Sequence, residues 1–383
     1  MFKKLMAGAV FACCLANAAA LAADDVQENT VAKLRSALTL AQIIHEEEVY
    51  TLLVLSDRGD EVVAADLTSS YELSEENPLV LVGQIGVDAI RQGVMEGKLR
   101  PQRYERAQLI APRGLGERHI AAGANYAEHG EEAGVDEVFL FPKVAPANRF
   151  DATVAASPGE LLDYEVEVCV RFDRDIASME DFEAALKGFF LCADFTERAT
   201  LLRHLDPENV TSGAGFPEAK SGEDRMPIGP YIVLPDNWRA WLKQAEIRLS
   251  VNGQERQKAI ADEMILEPQQ IIERALAEGR AREWSRNGQP LALLDNGNIG
   301  KSQAVLTGTP GGVIFREPAA GQIAWSLTKW LFTLSFIDNS LTNKVIDDFI
   351  EDAIEAGSYL QPGDVVEMTG TGMGNMRVTV VAN

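Results

Sequence analysis

Short apolar runs broken by glycine, asparagine and proline turns dominate this chain, and long stretches of helical period are few. Runs of β-compatible residues predict strands at 49–55, 61–65, 161–170, 188–193, 231–234, 247–251, 304–307, 364–369 and 377–381. Turn chemistry separates several of them, as at Asn252-Gly253 and Pro362-Gly363-Asp364. Apolar spacing predicts helices at 31–44, 179–186, 268–281 and 342–356, and a short strand followed by a helix over 79–97. This balance predicts a β-dominated α+β fold. The texture changes near residue 108, which sets a small, separate N-terminal α/β region at 24–112 apart from a domain at 113–383.

One run breaks its own pattern. Leu161-Leu162-Asp163-Tyr164-Glu165-Val166-Glu167-Val168-Cys169-Val170 is mostly apolar, yet Glu165 and Glu167 stand two apart. In a strand they leave the same face, with Val166, Val168 and Val170 on the other. Two carboxylates side by side repel unless something neutralises them. Oxygen-only ligands favour a hard divalent cation such as Mg²⁺, Mn²⁺ or Ca²⁺. An edge strand with one wet, charged face is the plainer alternative.

Composition narrows the classes. At 383 residues, with 46% hydrophobic and 24% charged positions, the chain can bury a sizeable core and is not a disordered type. A formal charge of −23 argues against nucleic acid or an anionic membrane surface as partner. Lys3 and Lys4, the apolar run at 5–15 and Ala20-Leu21-Ala22 together predict a secretory signal peptide at 1–22 and export to the periplasm. That run is too short to span a bilayer, so no stable membrane span is expected in the mature chain. Two of the four cysteines fall within the signal. Cys169 and Cys192 remain, and burial as small hydrophobes is expected, with a disulfide between them as the alternative. The aromatic-rich stretch at 323–336 is helix-compatible and expected to pack on the domain.

Further polar residues sit at marked positions. Gly123-Ala124-Asn125-Tyr126 opens a short helix in which His129 and Glu132 are i, i+3 neighbours. A carboxylate beside imidazole orients the ring as a general base needs. Asp194 ends an apolar strand and could be a third oxygen ligand, with Arg198 one turn on. Lys220 precedes the stiff Pro227-Ile228-Gly229-Pro230 entry, and Thr307-Gly308-Thr309-Pro310 offers backbone N–H groups and a hydroxyl to an anion.

In this order, with Phe141-Pro142-Lys143, Val251-Asn252-Gly253 and Leu360-Gln361-Pro362-Gly363-Asp364 between and after them, these pieces resemble the fumarylacetoacetate hydrolase family. The resemblance implies a mixed β-sandwich or β-roll catalytic domain, usually a homodimer, with an insertion here at about 316–358. It implies Mg²⁺, or Mn²⁺ or Ca²⁺, on Glu165, Glu167 and Asp194. His129, Glu132 and Lys220 would be catalytic, and Arg198, Tyr126 and Thr309 would bind substrate. The implied activity is metal-dependent hydrolysis of a C–C bond in small 1,3-diketo acids such as acylpyruvates, of the kind met in aromatic catabolism. The same fold also carries oxo-acid decarboxylases, tautomerases and hydratases, and a non-catalytic, metal-dependent oxo-acid binder is a further alternative.

Overall fold

The computed structural model describes residues 30–316 and 341–383. The signal peptide at 1–22 and the aromatic stretch at 323–336 lie outside the described residues.

Two sheets carry the fold. The larger has ten strands in the order Gln102–Glu105, Glu61–Asp66, Glu48–Asp57, Ala37–His45, Ile232–Pro235, Lys187–Ala193, Val166–Phe172, Val305–Leu306, Arg118–Gly123 and Phe139–Val144. Its single parallel pair joins Val305–Leu306 to Arg118–Gly123, with Val305 opposite Ile120. A second, five-stranded sheet contains Glu246–Val251, Val365–Gly370 and Gly374–Ala382. The predicted β-dominated, mixed-sheet class is the observed one, and the helix Pro268–Ala281 falls where its apolar spacing places it.

The N-terminal strands have no sheet of their own. Ala37–His45 runs antiparallel to Ile232–Pro235, with Ala37 opposite Pro235 and Leu40 opposite Ile232, so the first strands lengthen the large sheet. Residues 31–44 were expected to be helical, yet Ala37–His45 is a strand. Its first six residues are all buried, the polar Thr39 and Gln42 included, and a segment buried on both faces carries no period that separates strand from helix. Over 79–97 the expected strand is absent. Two helices, Pro78–Ile85 and Val87–Met95, occupy it. Asn77 caps the first by accepting from the Leu79 N–H, Pro78 stands at its first position, and Gly86 at φ 94° divides the two.

The strand Val166–Phe172 lies centrally in the large sheet, not at an edge, and all of its residues are buried. Cys169 and Cys192 are not the separate thiols expected; they form a disulfide with their Cα atoms 5.9 Å apart. Register explains it. Cys192 pairs across the ladder with Glu167 and Phe190 with Cys169, which makes the cysteines diagonal neighbours on one face within bridging distance. No helix among the described residues is long and apolar enough to cross a membrane.

Candidate metal centre

Antiparallel pairing of Val166–Phe172 with Lys187–Ala193 brings the expected ligands together. Glu165 enters the first strand, Glu167 follows on the same face, and Asp194 leaves the second strand. One oxygen from each carboxylate lies within 4.8 Å of the others, and all three residues are buried. The Asp194 N–H donates to the Glu165 carbonyl at 3.0 Å, which pins the two entry points.

Buried cations offset part of this charge. Lys220 Nζ donates to Glu165 Oε2 at 2.6 Å, Asp194 Oδ2 at 2.8 Å and Thr196 Oγ1 at 2.8 Å. Arg198 donates to Asp163 Oδ2 at 2.9 Å and to Glu165 Oε1 at 2.7 Å. Lys143 reaches Asp194 Oδ1 at 2.6 Å and also bonds the Lys220 carbonyl. Burial alone would raise the Glu165 carboxyl, but Lys220 and Arg198 outweigh it and hold it down at about 2. Glu167 differs. Its single protein donor among the described residues is the Gly308 N–H at 2.7 Å, and burial, then the Asp194 and Glu165 charges, push it well above the ordinary carboxylate range. Three converging carboxylates, one of them with no ion pair among the described residues, are a donor set that a hard divalent ion fits.

The turn after Val305–Leu306 closes the other side. Gly308, at φ 98°, lets its N–H reach Glu167; a Cβ there would lie 2.8 Å from Asn125 Cβ. Gly312, at φ 102°, turns its N–H onto both oxygens of Glu132 at 3.0 Å, and Arg316 adds a contact at 2.8 Å. Glu132 lies 3.8 Å from His129 Nδ1, beyond hydrogen-bond distance, on the helix Ala127–Ala133. Burial works to raise the Glu132 carboxyl, yet His129, Gly312 and Arg316 hold it below its usual range. Of four histidines in the chain, His45 and His204 are exposed, and both ring nitrogens of His119 are taken by the backbone. His129 lines the cavity beside Glu165, Asp194, Arg198 and Lys220.

Two expected substrate-binding groups are already engaged. Arg198 lines the cavity but is paired with Asp163 and Glu165. The Thr309 hydroxyl donates to the Val166 carbonyl at 3.0 Å and accepts from Gln257 at 2.8 Å, so it fastens the turn. Tyr126 is buried, and its hydroxyl has no protein partner among the described residues. Sequence reasoning gave Lys143 no role. A lysine breaking the apolar run 139–144 was the available signal, of the same kind that marked Glu165 and Glu167.

The family model described as fumarylacetoacetate (FAA) hydrolase C-terminal matches residues 118–381. The mitochondrial oxaloacetate decarboxylase of Dictyostelium discoideum is 26% identical over 211 residues, 52% of this chain and 83% of that protein. Among solved structures, maleylpyruvate hydrolase from Sphingobium sp. SYK-6, in complex with manganese(II) ion and pyruvate, is 19% identical with a TM-score of 0.54, covering 90% of this chain and 99% of that one. A 2-hydroxyhepta-2,4-diene-1,7-dioate isomerase from Mycobacterium marinum is 17% identical with a TM-score of 0.52, covering 90% of this chain and 99% of that one.

Proposed function

This chain belongs to the fumarylacetoacetate hydrolase family, and on that premise we propose that it is a divalent-metal-dependent hydrolase of 1,3-diketo acids of the acylpyruvate class. The observation that carries the reading is His129, held at the cavity beside the carboxylate cluster with Glu132 at 3.8 Å. A pure binder has no use for such a base.

Glu165, Glu167 and Asp194 would hold Mg²⁺ or Mn²⁺, which when bound supplies a Lewis acid for the substrate's oxo and carboxylate oxygens. Glu132, fixed by Gly312 and Arg316, is the positioning residue that orients His129. His129 takes a proton from water as its oxygen bonds to the distal acyl carbon. The C–C bond breaks, its electron pair passes into an enolate, and Lys220 would stabilise that developing charge. The enolate takes up a proton, so one diketo acid and one water give pyruvate and a carboxylic acid. The disulfide supports an exported, periplasmic setting, since such bonds persist in oxidising compartments.

The test adds acetylpyruvate and fumarylpyruvate to the protein with Mn²⁺ or Mg²⁺ and assays pyruvate. Metal-dependent release, abolished by EDTA and lowered about 10²- to 10⁴-fold in His129→Ala with Mn²⁺ binding intact, is expected. The decarboxylase relative favours a second reading, to which CO₂ release from oxaloacetate without pyruvate release from either diketo acid would shift the assignment.

A further inference from the structure

Asp163 stands two residues before Glu165 and is fully buried, yet it does not line the cavity. Its carboxylate accepts from four N–H donors. Oδ1 takes the Tyr164 N–H at 2.9 Å and the Ile314 N–H at 3.0 Å, and Oδ2 takes Arg198 Nε at 2.9 Å and the Phe315 N–H at 3.1 Å. A carboxylate offers about four lone-pair positions, so Asp163 is filled. Nothing is left on it for a metal or a substrate, in contrast to Glu167, whose single donor among the described residues is Gly308.

These bonds reach toward both halves of the chemistry. On one side, Arg198 Nη2 donates onward to Glu165 Oε1 at 2.7 Å, in the carboxylate cluster. On the other, Ile314 and Phe315 belong to the segment 312–316, whose two ends hold Glu132. The Gly312 N–H meets both Glu132 oxygens at 3.0 Å, and Arg316 meets Oε1 at 2.8 Å. Tyr164 adds a further grip, its hydroxyl donating to the Gly312 carbonyl at 3.1 Å. The Phe315 ring centroid lies 5.3 Å from the Arg198 guanidinium, so the segment and Arg198 also touch each other. Asp163 is itself anchored: it lies opposite Thr196 in a two-stranded ladder, and the Arg198 N–H bonds the Leu161 carbonyl. A filled carboxylate on a fixed backbone thus ties the segment that holds Glu132 to the residue that holds Glu165.

We propose that Asp163 is a positioning residue for the base: by anchoring 312–316 it fixes Glu132, and with it His129, in register with the carboxylate cluster. This rests on the hydrolase reading for what the base does, and it deepens that reading by naming the residue that sets the base against the metal centre.

Asp163→Asn keeps the shape but leaves one acceptor oxygen, so two of the four N–H donors must face an amide N–H. In the Mn²⁺-loaded protein, kcat for pyruvate release is expected to fall about ten- to a hundredfold with KM within about threefold, the scale of a small misplacement of reacting groups. In a Glu132→Ala background the same substitution is expected to cost less than about threefold, because the group it positions is gone. Losses that simply multiply would overturn the proposal. So would a loss of Mn²⁺ affinity of about tenfold or more by calorimetry, since Glu165 keeps Lys220 and Arg198 and the expected change is within about threefold.

Glu132→Ala, at a half-buried position, tests the same coupling from its other end and without turnover. Residue-resolved amide exchange is followed in the Mg²⁺-loaded parent and variant at Ile314 and Phe315, whose N–H groups bond Asp163 and not Glu132. Coupling is reciprocal, so their exchange is expected to quicken about tenfold. Unchanged exchange there overturns the proposal, even where Asp163→Asn fails to fold. A parent that releases no pyruvate sinks the hydrolase reading, and the exchange result then decides by itself whether Asp163 and Glu132 are coupled.

Discussion

One face of the strand Val166–Phe172 buries charge at both ends, and the two ends solve the problem differently. At the Glu165–Glu167 end, anions converge and cations come to meet them: Lys220 touches two carboxylates, Arg198 two and Lys143 one. Further along the same face, Arg171 is fully buried, and burial drags its guanidinium down to about 9. It donates to the Arg113 carbonyl at 2.7 Å, while its Nε and Nη2 find no protein partner among the described residues. The Cys169–Cys192 disulfide lies between these ends. Burial of charge therefore does not mark a site. What distinguishes the acidic end is convergence of several like groups beside a cavity, with one of them, Glu167, left without a cation.

The sharpest way to break this contrast is to neutralise Glu167. Glu167→Gln is expected to cut metal-dependent pyruvate release about a thousandfold, the scale of several kcal/mol of lost charge stabilisation. Calorimetry should show Mn²⁺ binding lost. The metal-free variant should nevertheless melt a few degrees higher than the metal-free parent, because a buried, uncompensated carboxylate is removed while its amide oxygen still accepts from Gly308. A lower melting temperature in EDTA would mean that Glu167 is not surplus charge, and the ligand reading would lose its electrostatic basis.

Next in size is the bridge between the two ends. The cysteines are 23 residues apart, and a loop of that length is worth roughly 3 kcal/mol of unfolded-state entropy. The Cys169→Ala, Cys192→Ala double variant should lose about that much in urea unfolding. An unchanged midpoint would assign the strand pairing to the ladder alone, since Cys192 and Glu167 are already cross-strand partners.

The acidic end was legible in the sequence because it violates a rule. Carboxylates in an apolar strand need an explanation, and Glu165, Glu167 and Asp194 each interrupt such a run. Lys143 breaks the same rule and could have been read the same way. Arg171 breaks it too, without a cluster around it, so the violation alone overpredicts sites. Other features depend on pairing that no local pattern contains. Cys169 and Cys192 bond because of the register between two strands, and Ala37–His45 is a strand held between its hairpin partner Glu48–Asp57 and the distant Ile232–Pro235. The sequence offers Arg198 and Thr309 to a substrate, but only the fold shows that Asp163 and Gln257 hold them.

The smallest effect tests the basic end. Arg171→Met keeps most of the side-chain volume and removes a cation that no carboxylate among the described residues offsets. The substitution leaves the Arg113 carbonyl without its donor, at a cost of about 1 kcal/mol or somewhat more. Against this stands the several kcal/mol needed to desolvate a guanidinium, and exchanges of buried charge for hydrocarbon elsewhere have been neutral or stabilising by about 1–4 kcal/mol. The expected balance is a gain of about 1 kcal/mol in urea unfolding, with Mn²⁺ affinity and pyruvate release unchanged. A loss of stability would mean that Arg171 is compensated as fully as Lys220. A fall in metal affinity would mean that the two ends of this strand face are one electrostatic unit rather than two.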